Sequence, residues 1–163
     1  MDAVTYPNEE SERRLNESFV ALRVPFDRNG VLERRWAVSW TPGILVLDSG
    51  ERVHYRAYGY HPPEEFAHLL GVARGMTEFD AGDFEQASRT FSRVVEDVRR
   101  SAMVPEALYW LGVARYKAGD RDGLVRAWSR LLDEHPENLW ARRAGFIRAP
   151  ARAEPDRGGA AAA

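Results

Sequence analysis

A β-hairpin pattern over residues 37–60 constrains the fold of this chain more than any other stretch. An apolar run, Ile44–Leu47, ends at the turn signal Asp48-Ser49-Gly50, and from Arg52 to Tyr58 polar and apolar residues then alternate. A continuous apolar run is typical of a buried strand, and alternation is typical of a strand with one polar face. The stretch therefore predicts a hairpin. Pro42 precedes the first strand, where its missing N–H does least harm.

The residues around this hairpin resemble the second half of a thioredoxin domain. In that family a cis-proline opens a strand, a hairpin follows, and a helix packs back on the sheet. The matching positions are Val38, Thr41-Pro42, Leu47-Asp48, Gly50, Gly59 and the helix start at Pro63. Trp40 and Gly43 depart from the family pattern, in which a small residue and a threonine are common at these positions. The resemblance implies an α/β thioredoxin-like fold and a cis Thr41–Pro42 bond.

Upstream of the hairpin, the sequence predicts a helix capped by Asn8 and a third strand at Phe19–Val24, whose side chains alternate between two largely apolar faces. A thioredoxin domain has a further central strand, so the resemblance implies a truncated sheet of about three strands. We expect Phe19–Val24 and Ile44–Leu47 to pair directly. The alternative is an open slot that a strand from a partner, a second copy or an upstream segment would fill.

The second half of the chain carries an internal repeat. Gly82-Asp83 and Gly119-Asp120 stand 37 residues apart, as do Phe91 and Trp128. The second copy resembles a tetratricopeptide repeat, which has about 34 residues. The residues that carry this resemblance are Glu106 to Gly112, Tyr116, Gly119, Leu124, Trp128 and Pro136. We therefore expect helical hairpins with Trp110 and Trp128 buried between helices, followed by a capping helix at 138–146.

These patterns divide the chain into three parts. Residues 1–75 are interpreted as the truncated thioredoxin-like domain, residues 76–147 as tetratricopeptide-like repeats with their cap, and residues 148–163 as a disordered tail rich in Ala, Pro, Arg and Gly. The helix that starts at Pro63 is expected to join the first two parts, with a break near Gly71 or Gly75.

Composition excludes several classes of function. The 163 residues contain no cysteine, so this chain has no thiolate nucleophile and no redox pair of its own. Its 23 basic and 25 acidic residues are interleaved, which argues against a nucleic-acid surface. No apolar run approaches the ~20 residues of a membrane span, and the N-terminus lacks a secretory pattern. We expect a cytoplasmic protein that binds neither nucleic acid nor membrane.

Catalytic and metal-binding patterns are also missing from the sequence. The four histidines, His54, His61, His68 and His135, do not have the spacing of a metal site. Acid pairs such as Glu64-Glu65 stand at helix starts, where the helix dipole explains them. We therefore expect no catalytic residue, no metal and no cofactor.

Two groups of residues are candidates for contact with a partner. In the thioredoxin family the residue before the cis-proline offers backbone groups to an extended peptide, so the resemblance implies peptide contact at Trp40-Thr41-Pro42; the alternative is a turn that only places the strand. In tetratricopeptide arrays the first helix of each repeat lines a groove. The matching residues here are Glu106, Tyr109, Val113 and Tyr116, whose alternative role is packing on the preceding domain.

Together these observations predict a non-catalytic protein-interaction or adaptor protein with a protein or peptide partner. A possible homodimer or a strand donated by a partner belongs to the same interpretation. The alternative is a thiol-disulfide oxidoreductase whose redox motif lies upstream of Met1.

Overall fold

The computed structural model describes residues 1–25, 30–97 and 101–148, and it is mostly helical. The helices are α1 Glu9–Ser18, α2 Gly30–Arg35, α3 Pro63–Asp80, α4 Phe84–Asp97, α5 Val104–Lys117, α6 Arg121–Glu134 and α7 Leu139–Ala144. The strands are β1 Gly43–Leu47 and β2 Val53–Tyr58, and a short 3-10 helix, Gly145–Arg148, follows α7.

Local sequence signals set the helix starts. The side chain of Asn8 accepts hydrogen bonds from the backbone N–H groups of Glu10 and Ser11, at 3.1 and 3.2 Å, which confirms the predicted cap of α1. Pro63 begins α3 as expected. The predicted break in α3 is wrong, because the helix runs without interruption to Asp80. Gly75 instead gives space to a neighbour: a Cβ there would lie 2.5 Å from Cε1 of Phe91 on α4.

The hairpin forms as the sequence predicts. β1 and β2 are antiparallel, with Ile44 opposite Ala57 and Val46 opposite Tyr55. Asp48 closes the turn, since its Oδ1 accepts hydrogen bonds from the backbone N–H groups of Gly50 and Arg52 at 2.8 and 3.0 Å. The Thr41–Pro42 peptide bond is cis, as expected.

The predicted third strand at Phe19–Val24 is wrong, and so is its direct pairing with Ile44–Leu47. The chain is irregular there, Val20 and Leu22 are 100% and 79% exposed, and the sheet of the described residues contains only β1 and β2. Alternating apolar residues favour a strand only where a neighbouring strand supplies hydrogen bonds and a packing surface. The structure thus shows a small antiparallel sheet beside helices, rather than the three-stranded thioredoxin-like sheet expected from the sequence.

The repeat is visible in the structure as two equivalent turns. Gly82 and Gly119 both have positive φ, +83° and +90°. After each glycine an aspartate donates its backbone N–H five residues back, from Asp83 to the carbonyl of Glu78 at 3.0 Å and from Asp120 to that of Arg115 at 2.8 Å. This left-handed helix end favours glycine at that position. The 37-residue offset in the sequence therefore corresponds to the same turn made twice.

The core lies among α3 to α7. Its buried residues include Val72, Phe91, Val95, Leu108, Leu111, Trp128, Leu131, Ala141 and Ala144. α7 caps the helices through the fully buried Ala141 and Ala144. Leu139 and Phe146 are 58% and 68% exposed, although the Phe146 ring centroid lies 5.4 Å from that of Trp128. Of the predicted tail, Arg148 ends the 3-10 helix and the rest lies outside the described residues.

Candidate partner-binding surfaces

Glu106, Tyr109, Val113 and Tyr116 form one stripe along α5, which we call the α5 stripe. The hairpin occupies the first turn of this stripe. The hydroxyl of Tyr55, on β2, donates a hydrogen bond to Oε2 of Glu106 at 3.2 Å. Glu106 is therefore engaged within the molecule, by a residue of the part that precedes the repeats.

Burial shifts the pKa values of both side chains in this contact. Burial raises the pKa of the Glu106 carboxyl, while the Tyr55 hydroxyl, the charge of Arg143 and the Trp110 indole oppose the rise. Burial also raises the pKa of Tyr55, and the nearby negative charge of Glu106 adds to that shift. The phenol thus keeps its proton at neutral pH and remains the hydrogen-bond donor.

Tyr109 is the centre of an aromatic cluster between α5, α6 and α7. Its ring lies stacked on Trp128, with centroids 5.2 Å apart and planes 15° apart, and 5.1 Å from the ring of Trp140. Contacts with two other helices show that Tyr109 packs internally. Val113 is partly buried and Tyr116 is 50% exposed, so the far end of the α5 stripe faces solvent.

Sequence reasoning missed a row of aromatic rings that crosses the helices. It runs from Phe84 through Phe79 and Trp110 to Trp140, with successive centroids 5.2, 5.5 and 6.2 Å apart. The guanidinium of Arg143 lies over the Trp140 ring, 4.5 Å from its centroid. Trp110 is only partly buried, so the prediction that it is buried is correct only in part. The sequence offers one indication of this aromatic row, because Trp110 directly follows Tyr109 on α5.

The second candidate, Trp40-Thr41-Pro42, lies at the start of β1. Trp40 is 68% exposed and Thr41 is exposed, whereas Pro42 is half-buried. Gly43 brings the chain close to β2, since a Cβ there would lie 3.1 Å from the Trp40 carbonyl oxygen and 3.2 Å from Cε1 of Tyr58. Two exposed aromatic side chains, Trp40 and Tyr58, therefore flank the beginning of β1.

β1 also presents an open edge. Its backbone pairs with β2 on one side, and in the described part of the chain no strand pairs with the other side. Such an edge offers a row of N–H and C=O groups to an incoming strand. We call Trp40, Thr41, Pro42 and this edge of β1 the hairpin edge. The same hairpin takes part in both candidate surfaces. Tyr55 on β2 contacts the α5 stripe. Tyr58, three residues further along β2, borders the hairpin edge.

His54 is a third feature that the sequence did not reveal. Its side chain is 5% exposed and lies between two carboxylates, with Nδ1 2.8 Å from Oδ2 of Asp80 and Nε2 3.0 Å from Oδ2 of Asp48. The sequence shows only that His54 lacks the spacing of a metal ligand. In the structure it links the hairpin turn to the end of α3.

Two further kinds of feature, a metal site and a membrane-spanning helix, are absent from residues 1–25, 30–97 and 101–148. Within these ranges no group of three His, Asp or Glu side chains is placed to hold a metal ion. None of the helices described there combines the length and the apolar character needed to cross a bilayer.

Comparison with known proteins agrees with the repeat. The family described as Tetratricopeptide repeat matches residues 106–138, which span α5, α6 and the turn that follows. No curated protein and no solved structure matches the chain. Residues 106–138 thus carry a tetratricopeptide-type repeat within a largely helical chain, and such repeats typically mediate contacts between proteins.

Proposed function

We propose that this chain is a non-catalytic adaptor that binds an extended peptide segment of a protein partner along the hairpin edge. The observation that carries the proposal is the exposed Trp40 beside the open edge of β1. The tetratricopeptide-type repeat supports a role in protein interaction in general, and the hairpin edge supplies a specific surface for it.

The proposed binding mode uses both backbone and side chains. A peptide added to β1 gains main-chain hydrogen bonds from the edge, and side chains beside the edge supply specificity. Trp and Tyr are the residues most often found at the energetic centres of interfaces, which fits Trp40 and Tyr58. Thr41, exposed before Pro42, is the residue that would offer backbone groups to the peptide, as the resemblance to the thioredoxin family implies.

The α5 stripe has a smaller part in this proposal. Glu106 and Tyr109 hold the hairpin and α7, so they support the surface rather than contact the partner. Tyr116 and Val113 remain as a second contact region. The alternative function, thiol-disulfide exchange, would need cysteines from outside these 163 residues, since the chain has none. No feature of the described structure favours it.

The test is selection of binding peptides from a random library displayed on phage. Trp40→Ala should weaken the selected peptide at least about tenfold, as for a central interface residue. Val125→Ala, an exposed apolar change on α6, is the matched control and should leave affinity unchanged. Loss of affinity with Tyr116→Ala but not with Trp40→Ala would move the site to the α5 stripe and contradict the proposal.

Hydrogen exchange distinguishes strand addition from side-chain contact alone. Bound peptide should slow exchange of backbone amides within Ile44–Leu47, since added main-chain hydrogen bonds protect an edge strand. Unchanged exchange rates there at saturating peptide would contradict the proposed mode. Sedimentation of the unliganded chain at several concentrations shows whether a second copy already occupies the edge.

A further inference from the structure

A pocket of about 250 Å³ lies on another side of the molecule, where α1, α3 and α4 meet. One face of α3 forms its first wall, with Ala67, Leu70, Gly71 and Arg74. One face of α4 forms the second, with Thr90, Arg93, Val94 and Asp97. Both sets follow the i, i+3, i+4, i+7 spacing of a single helix face. The third wall comes from the end of α1 and from Phe19. We call this the three-helix pocket.

The floor of the three-helix pocket is apolar and the rim is basic. Ala67, Leu70 and Val94 are 2–3% exposed. Four arginines line the pocket, at positions 13, 14, 74 and 93, together with Glu17 and Asp97. An apolar floor below guanidinium groups matches a ligand that has an alkyl body and an anionic head.

Three of these four arginines have carboxylate partners in the described part of the chain. Arg13 contacts Glu10 and Glu17, and Arg14 contacts Glu10 and Asp97. Arg74 contacts Glu78 at 3.0 Å, and a second nitrogen of its guanidinium lies 3.3 Å from the Ser18 hydroxyl.

Arg93 has no carboxylate within ion-pair distance in the part of the chain that is described. Glu10, Glu17, Glu78 and Asp97 together offset the charge of the four arginines, so a singly charged ligand is accommodated better than a doubly charged phosphate.

Thr90 provides an independent sign of a ligand. It is 5% exposed and lines the three-helix pocket, yet its hydroxyl has no hydrogen-bond partner in the described structure. A buried hydroxyl without a partner is unfavourable, so native proteins rarely keep one unless something else satisfies it. Thr90 stands one helical turn from Arg93, on the same face of α4.

We propose that the three-helix pocket binds a small monocarboxylate with a short alkyl chain. Arg93 pairs with the carboxylate, the Thr90 hydroxyl donates a hydrogen bond to it, and Arg74 adds a further donor. The alkyl chain lies on Leu70 and Val94. The volume of the pocket is just below the range of about 300–1,000 Å³ typical of drug-sized ligands, so the alkyl chain of the ligand must be short. This site is separate from the hairpin edge and does not depend on the proposed adaptor role.

Titration of the full chain with sodium hexanoate, followed by calorimetry and by amide chemical shifts, tests the proposal. Saturable binding is expected with a dissociation constant on the order of 1 mM, which is reasonable for about eight non-hydrogen atoms. Hexylamine, which has the same chain and the opposite charge, should not bind, and hexyl phosphate should bind no more tightly than hexanoate. Absence of saturable hexanoate binding, or equal binding of the amine, would overturn the proposal.

Two variants assign the residues. Arg93→Ala should weaken hexanoate at least about fivefold, whereas Arg89→Ala, an exposed arginine on α4 outside the pocket, should change it by less than about twofold. Thr90→Val keeps the shape and removes the hydroxyl. It should weaken binding about threefold without lowering the unfolding temperature, since the hydroxyl has no partner within the protein. Hexanoate binding that is unaffected by Arg93→Ala would overturn the proposal.

Discussion

The indole Nε1 of Trp128 donates a hydrogen bond to the backbone carbonyl of Tyr109 at 2.9 Å, and the two rings of these residues lie stacked. Tyr109 on α5 thus binds the Trp128 side chain on α6 in two ways, through its backbone carbonyl and through its ring. Trp128 is 5% exposed, and its hydrogen bond to Tyr109 is partly buried. This pair fixes the spacing of the two helices in the matched repeat.

Trp128→Ala should lower the free energy of unfolding by about 3–5 kcal/mol, because it leaves a large cavity. Trp128→Phe should cost less, since a ring remains and the main loss is the hydrogen bond to the Tyr109 carbonyl, worth about 0.5–1.5 kcal/mol because that carbonyl keeps its bond within α5. Urea denaturation followed by circular dichroism measures both values. A loss below about 1 kcal/mol for Trp128→Ala would contradict the packing described for α5 and α6.

Gly112→Ala should destabilise the protein although alanine favours helices by about 1 kcal/mol over glycine. A Cβ at position 112 would lie 2.5 Å from Cδ1 of Trp128, so the indole or a helix must move, at a cost of about 1–3 kcal/mol. Gly145→Ala is the control, because no atom lies within 4 Å of its added Cβ. Equal melting temperatures for the two variants would show that Gly112 is not needed for close contact.

The contribution of His54 to stability should fall as the pH rises. Burial alone would lower the His54 pKa, but hydrogen bonds to Asp80 and Asp48 outweigh burial and raise the pKa above its usual 6.5. A group whose pKa is raised in the folded state stabilises the protein fully below its unfolded pKa, near 6.5. That stabilisation is lost as the pH rises through the higher folded value.

At low pH the stability depends on Asp48. Its pKa is held below the usual value by the backbone N–H of Arg52, the His54 side chain and the backbone N–H of Gly50. The Asp48 contribution is therefore lost as the pH falls through that lowered pKa. A guanidinium nitrogen of Arg52 also lies near this site, 3.7 Å from Oδ2 of Asp80.

Comparison with His54→Gln isolates the histidine. The difference in unfolding free energy between the wild type and His54→Gln should be largest near pH 6 and should shrink toward pH 9. A difference that grows with pH would mean that His54 is neutral in the folded protein, which contradicts hydrogen bonds to two carboxylates. His135→Gln, at the end of α6, is the control histidine.

The purified chain should not reduce disulfides. Thiol exchange requires a thiolate, and the 163 residues include no cysteine. The measurement is turnover of insulin disulfides in the presence of dithiothreitol, compared with the same buffer and dithiothreitol without the protein. Turnover above that background by homogeneous protein would contradict the prediction.

Short-range signals in the sequence predicted much of the fold. Asn8 and Pro63 mark helix starts because their effects depend on the next few residues, and the hairpin at 44–58 is likewise local. Trp128 was predicted to be buried because the 37-residue offset of the repeat matches it to Phe91. In each case one turn of chain, or one repeat, contains the information.

Contacts between distant residues could not be predicted in this way. The alternation at Phe19–Val24 is real, but no property of that segment shows whether a neighbouring strand exists. The hydrogen bond from Tyr55 to Glu106 joins residues 51 positions apart. The contact between His54 and Asp80 depends on how the hairpin packs against the end of α3. The sequence offered packing on the preceding domain as the alternative role of the α5 stripe, whereas the particular contact between Tyr55 and Glu106 became clear only from the structure.

The uninterrupted α3 determines how the two halves of the molecule can be separated. This helix packs against α1, both strands, α4 and α5, and these contacts cross the predicted boundary at residue 75: Gly71 lies against Val94 on α4, and Asp80 contacts His54 on β2. Proteolysis or genetic recombination at that point would divide a single helix and expose Phe91, whose ring lies against Gly75. We therefore expect the hairpin and the repeats to unfold together, and either half to be unstable when it is expressed without a complete α3.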